Sequence, residues 1–165
     1  MANVNQLGSS ELLYFDDLHV GQRFVSGTHQ IDEDDIKTFA KQFDPQPFHV
    51  DAEAAKTTFF EGLVASGWQT AALTMKLRVE GELQLAGGWI GLGVDSILWP
   101  SPVRPGDRLT AVTEIVEARE SMSKPQYGVI KVRTTTLNQN EQPVQMFVGN
   151  LIVLRRPVSS GKAEG

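Results

Sequence analysis

The chain has no cysteine among its 165 residues. Disulfides, thiolate nucleophiles and cysteine-bound zinc are thereby excluded. The absence fits a cytosolic protein, and the expected location is the cytoplasm. There is no extended run of Lys or Arg, and the formal net charge is −5, so nothing calls for a nucleic-acid partner. A local helix N-terminus could still receive an anionic ligand. No uninterrupted apolar stretch approaches the roughly 20 residues of a membrane span. Met1 to Ser10 lacks a basic region ahead of an apolar block, so no signal peptide is expected. His19 and His29 are isolated and with His49 form no metal-ligand spacing. The glycines at 87, 88, 91 and 93 lack a phosphate-loop pattern and read as bends in a curved strand.

What is present is ordinary globular material, 41% hydrophobic and 21% charged, enough for one domain with a real core. The expected layout is a flexible arm over 1–11, a single domain over 12–157 and a disordered tail over 158–165. A strand is expected from Arg23 to Gln30. Asp32 then reads as the N-cap of a helix, with Asp35 three residues on and Ile36, Phe39, Ala40 and Phe43 at helical spacing. The acidic run 32–35 reads as a solvated helix start rather than a metal site. Pro45 and Pro47 end that helix and define a stiff turn. A short helix from Asp51 to Lys56 follows, capped by Asp51.

Ser66-Gly67 opens a longer helix, expected to reach about Leu83. Trp68, Ala71, Ala72, Met75 and Val79 mark one apolar side, and Leu73 and Leu77 the other, which predicts burial all round. Lys76, Arg78, Glu80 and Glu82 predict its emergence into solvent. From Ile90 onward the pattern is strand after strand: Ile90–Trp99, Leu109–Ala118, Gly128–Leu137 and Val144–Leu154. Arg104 to Asp107 is a turn, and Asn138 to Glu141 a hairpin connection. One strand, then helices, then four strands imply an α+β fold: a curved antiparallel sheet around one helix. Its edges are most simply covered by a second copy, so a homodimer is expected.

Two stretches carry chemistry. Asp44 and His49 stand at the two ends of the proline turn. A carboxylate beside an imidazole can tune it, or share a water with it, for acid–base work. The alternative is a capping Asp and a structurally satisfied His. The helix start at Ser66-Gly67 offers unpaired N–H groups and a positive dipole end, suited to an enolate oxygen. Gly67 would let a ligand approach the backbone. Ser66 reads equally as an N-cap, and no G-x-S-x-G context makes it a nucleophile. Phe59 and Phe60 could line an acyl pocket or belong to the core.

Phe39-Ala40, Asp44-x-x-Pro47-x-His49-x-Asp51 and Gly62-Leu63-Val64-Ala65-Ser66-Gly67 together resemble the MaoC-like dehydratases, or (R)-specific enoyl-CoA hydratases. Val20-Gly21 and Pro102-Val103-x-Pro105-Gly106-Asp107 fit as well, so the resemblance spans roughly Tyr14 to Leu154. It implies a hot-dog fold, at least a dimer, and reversible hydration of a trans-2-enoyl thioester to the (R)-3-hydroxyacyl form. The implied substrate is an acyl-CoA or acyl-carrier thioester, with no metal and no cofactor. The family's catalytic pair falls on Asp44 and His49, and its backbone oxyanion donor on Gly67. Two positions depart from the pattern: Gln46, where Asn is frequent, and Ser66, where His is frequent. Both imply a non-standard acyl group. The competing readings are a non-catalytic acyl-thioester-binding subunit and, less favoured, a thioesterase. The latter needs a carboxylate on the central helix, which carries Glu80 and Glu82 only near its far end.

Overall fold

The computed structural model describes residues 11–159. Of the expected arm and tail, only 11 and 158–159 fall inside that range; the rest lie outside the described residues. Five strands form one sheet: β1 (Arg23–Gln30), β2 (Ile90–Leu98), β3 (Arg108–Glu120), β4 (Tyr127–Leu137) and β5 (Pro143–Leu154). Their order is β1-β3-β4-β5-β2, with every neighbour antiparallel. β1 and β2 are the edges. Alternation in β4 puts Ile130, Val132 and Thr134 inside and Lys131 and Arg133 outside, as the sequence predicts.

The sheet curves around α4 (Gly67–Glu80), the hot-dog arrangement. Two apolar clusters fill the concave side. One gathers Ile31, Ile36, Leu63, Leu77, Leu109 and Val144; the other Leu18, Leu83, Ile115, Ile130 and Val153. The helix ends at Glu80 rather than near Leu83. Leu83 and Leu85 fold back into the second cluster instead, and Leu85 pairs with Leu13.

The burial of α4 departs from the expectation. Its sheet-facing stripe is Thr70, Thr74, Leu77 and Arg78, with Gln69 also buried. Trp68, Met75 and Val79 face outward, Trp68 at 61% exposure. The polar residues go inside because the sheet supplies partners: Thr74 and Thr136 share a hydroxyl bond at 2.7 Å, and Thr113 and Thr134 one at 3.0 Å. Arg78, expected in solvent, lies between the Trp89 and Phe147 rings, 4.4 and 5.1 Å from their centroids. The apolar side of the helix is thus not spent on this protomer's own core.

Before α4 come three helices that overhang one end of the sheet. α1 (Glu33–Phe43) is opened by a reciprocal capping pair, Asp35 N–H to Asp32 at 2.8 Å and Asp32 N–H to Asp35 at 3.2 Å. α2 (Pro47–Val50) occupies what the sequence predicts as part of a plain turn. Pro47 both stops the preceding helix and starts this one, because its missing N–H costs nothing at a helix's first position. α3 (Ala52–Ala55) follows, with Asp51 accepting from Glu53 and Ala54 N–H as its cap.

Candidate active site

The α1 and α2 ends converge on the start of α4. Asp44 is the C-cap of α1, its N–H bonded to Ala40 O at 2.8 Å. His49 lies on α2, buried, its ring edge-on to Phe48. The segment before α4 is clamped from both sides: Val64 N–H donates to Phe48 O at 3.0 Å, and Ala65 N–H to Val103 O at 2.8 Å. This clamp brings Ser66 beneath the Asp44 carboxylate.

Asp44 is the hub. Its Oδ2 accepts from Ser66 Oγ at 2.7 Å and lies 3.2 Å from His49 Nε2. Its Oδ1 accepts from Gln46 Nε2 at 2.6 Å. Burial pushes the carboxyl up, but the bonds from Ser66 and Gln46 and the charge of His49 outweigh it and hold it below the usual value. A carboxylate offers roughly four lone-pair positions, so these three partners leave one on Oδ1 for a water or substrate hydroxyl.

The other side of the imidazole fixes its tautomer. Nδ1 sits 2.6 Å from Val64 O, which can only accept, so Nδ1 carries a proton. Nε2 is left facing Asp44. With a proton on Nε2 the contact is attractive; without one, a lone pair faces a carboxylate. The contact is therefore suited to passing a proton between Nε2 and Oδ2.

Ser66 Oγ also accepts from Trp68 N–H at 3.3 Å, which makes it the N-cap of α4. The N-cap expected from the sequence is formed, while the bond from Ser66 to the Asp44 carboxylate is a contact the sequence did not signal. The Gly67 N–H, the helix's first, finds no acceptor among the described residues. The room beside Gly67 is not open, however. A Cβ there would stand 2.6 Å from the Trp99 indole. Glycine is required because Trp99 lies against it, not because space is kept for a ligand.

Asp44, Gln46, His49 and Gly67 all line one cavity of about 370 Å³. Its floor is apolar, with Phe48, Val64, Ala65, Val103 and Val144. Of the aromatic pair it is Phe60 that lines the cavity. Phe59 is 93% exposed and stands outside it, since only one of two adjacent loop residues can turn inward. Ser66 lies behind the wall, fully buried, and reaches the cavity only through Asp44. Trp99 and Thr70, also in the lining, were not singled out from sequence: neither belongs to a motif, and Trp99 joins the site only through the return of β2. The set can accept a proton, donate one and stabilise a developing oxyanion beside an apolar chamber.

Residues 18–138 match the MaoC like domain. The chain is 34% identical over 139 residues to the uncharacterized protein YdeM of Bacillus subtilis, covering 84% of this chain and 96% of that one. It is 32% identical over 110 residues to an (R)-specific enoyl-CoA hydratase of Rhodospirillum rubrum, covering 63% and 70%. Among solved structures, a MaoC-like dehydratase from Rhodospirillum rubrum superposes with a TM-score of 0.85 at 46% identity, covering 88% of this chain and 99% of that one.

Proposed function

The chain belongs to the MaoC-like domain family, and we propose that it adds water to, or removes it from, a trans-2-enoyl thioester, giving or consuming the (R)-3-hydroxyacyl form. The observation that carries this reading is one cavity holding Asp44, His49 and the free Gly67 N–H over an apolar floor. The relative that acts as an (R)-specific enoyl-CoA hydratase supports it.

In this reading the thioester carbonyl accepts from Gly67 N–H, and the acyl chain lies against Phe48, Phe60 and Val103. A water bonds to the remaining Oδ1 position of Asp44. Its oxygen attacks C3 while one of its protons passes to the Asp44 carboxylate. The electron pair of the double bond moves toward the carbonyl oxygen, and Gly67 N–H and the α4 dipole stabilise the enolate. His49 Nε2–H then delivers its proton to C2. The proton taken on Asp44 Oδ1 leaves to water, and Nε2, which faces Oδ2 at 3.2 Å, takes one back from water, which resets the pair. One water is added, and the protein ends as it began.

Both departures from the family pattern touch the same atom group. Gln46 and Ser66 each donate to Asp44, so they act on the carboxylate. This leaves the pair's chemistry in place and supports catalysis over a purely binding role. The thioesterase alternative lacks its nucleophile or base: α4 carries no carboxylate before Glu80.

The working unit in this reading is a homodimer. Leu92, Val94 and Leu98 are exposed on the edge strand β2, and Met75 and Val79 on the outer side of α4. A second copy pairing along β2 covers both without new elements. Hydration of crotonyl-CoA, followed by loss of enoyl absorbance, tests the activity.

A further inference from the structure

We propose that Trp99 is a positioning residue for the thioester carbonyl: its indole covers the first N–H of α4, keeps water from it and leaves it one open side. The inference rests on the hydratase reading for the identity of the ligand, but not on turnover.

The first N–H groups of a helix are ordinarily solvated or capped. Here the cap is used on Trp68 N–H, and Gly67 N–H has no acceptor among the described residues. Directly against Gly67 lies the indole. Three of its ring atoms come within 2.6–2.9 Å of where a Cβ would be, so the ring touches the Gly67 backbone itself. The ring is held from two further sides. Its Nε1–H donates to Gln145 Oε1 at 2.9 Å, and Gln145, on β5, is 1% exposed. Trp68 meets it edge-on at 5.3 Å and 77°. Pro100 and Pro102 stiffen the chain just after it.

This wall is fixed more firmly than general burial requires. Trp99 remains 40% exposed, so it closes the mouth of the cavity rather than filling the core. Hydrogen-bond donors aimed at a developing charge act most strongly where water is excluded and the donor need not reorganise. In this proposal the indole packed against Gly67 supplies both conditions and leaves the N–H to the cavity that Asp44 and His49 also line.

The test uses butyryl-CoA labelled with ¹³C at the thioester carbonyl, a saturated ligand that cannot be hydrated. Its carbonyl stretch is recorded bound to the parent, to Trp99→Phe and to Trp99→Ala, with thermal melting of each. The parent is expected to lower the frequency relative to free ligand. Trp99→Phe should keep part of that downshift, and Trp99→Ala should lose most of it. Gly67→Ala forces the indole away and is expected to lose it as well. In the hydration assay, kcat of Trp99→Ala should fall roughly 10-fold while KM changes little. A Trp99→Ala protein that melts cooperatively and keeps the parent's downshift overturns the proposal, as does a parent that binds butyryl-CoA with no downshift. A parent that shows the downshift but hydrates no enoyl-CoA would defeat the hydratase reading and leave the role of Trp99 standing.

Discussion

Ser66 Oγ donates to Asp44 Oδ2 at 2.7 Å, joining the N-cap of α4 to the C-cap of α1. One hydroxyl thereby sets both the start of the central helix and the state of the carboxylate. It lowers the Asp44 pKa against the opposing effect of burial.

Ser66→Ala removes that donor. Hydrogen bonds to charged groups are worth about 1.5–3 kcal/mol, so the Asp44 carboxyl should titrate at higher pH in the variant. The acid limb of the kcat/KM profile is expected to move up. The sign for stability follows from linkage. Asp44 is depressed below its ordinary 3.8, so its contribution is present above that value and is lost as pH falls through the lower folded value. The variant, with a folded value nearer the ordinary one, should hold a smaller contribution at neutral pH and lose less stability on acidification than the parent. Denaturant titrations between neutral pH and the acid range measure it; identical pH dependence of the two proteins would refute the coupling.

Arg78→Met is expected to stabilise the protein. Arg78 is 6% exposed, and its Nε and Nη2 have no partner among the described residues. Burial pulls its pKa down to about 10. Each unsatisfied buried donor costs about 1–3 kcal/mol, more for a charged group. The stacking on Trp89 and Phe147 returns about 0.5–2 kcal/mol, which is the smaller quantity. Methionine fills a similar volume between the two rings. The melting temperature should rise by about 2–4 °C per kcal/mol gained. A fall in melting temperature would mean that Arg78 has an acceptor in the assembled protein.

Val94→Lys is expected to weaken the homodimer. A charge in the middle of β2 opposes edge-to-edge pairing. Light scattering should show the parent at twice the chain mass and the variant shifted toward the chain mass. A parent that scatters as a single chain at working concentration would refute the dimer.

The strands were legible because alternation in β3, β4 and β5 is long and regular; the predicted bounds fall within two residues of the structure. The start of α1 was legible from Asp32 and Asp35, which do form the reciprocal cap. Three features were not. Pro47 signals a stop and a start with the same chemistry, so α2 beneath His49 could not be separated from a turn. The inward side of α4 follows Thr74 and its partner Thr136, a pairing made across 62 positions of chain that periodicity does not register. The contact of Trp99 with Gly67 likewise depends on where β2 returns, which no local pattern encodes.

The most direct test of the central claim is hydration of crotonyl-CoA by the purified protein beside Asp44→Asn, each followed by loss of enoyl absorbance. Asparagine keeps the shape but cannot take the water's proton. The account predicts turnover in the parent and a loss of at least about 10²-fold in Asp44→Asn with the fold retained. Turnover that survives in Asp44→Asn, or none in a parent that binds the thioester, would contradict it.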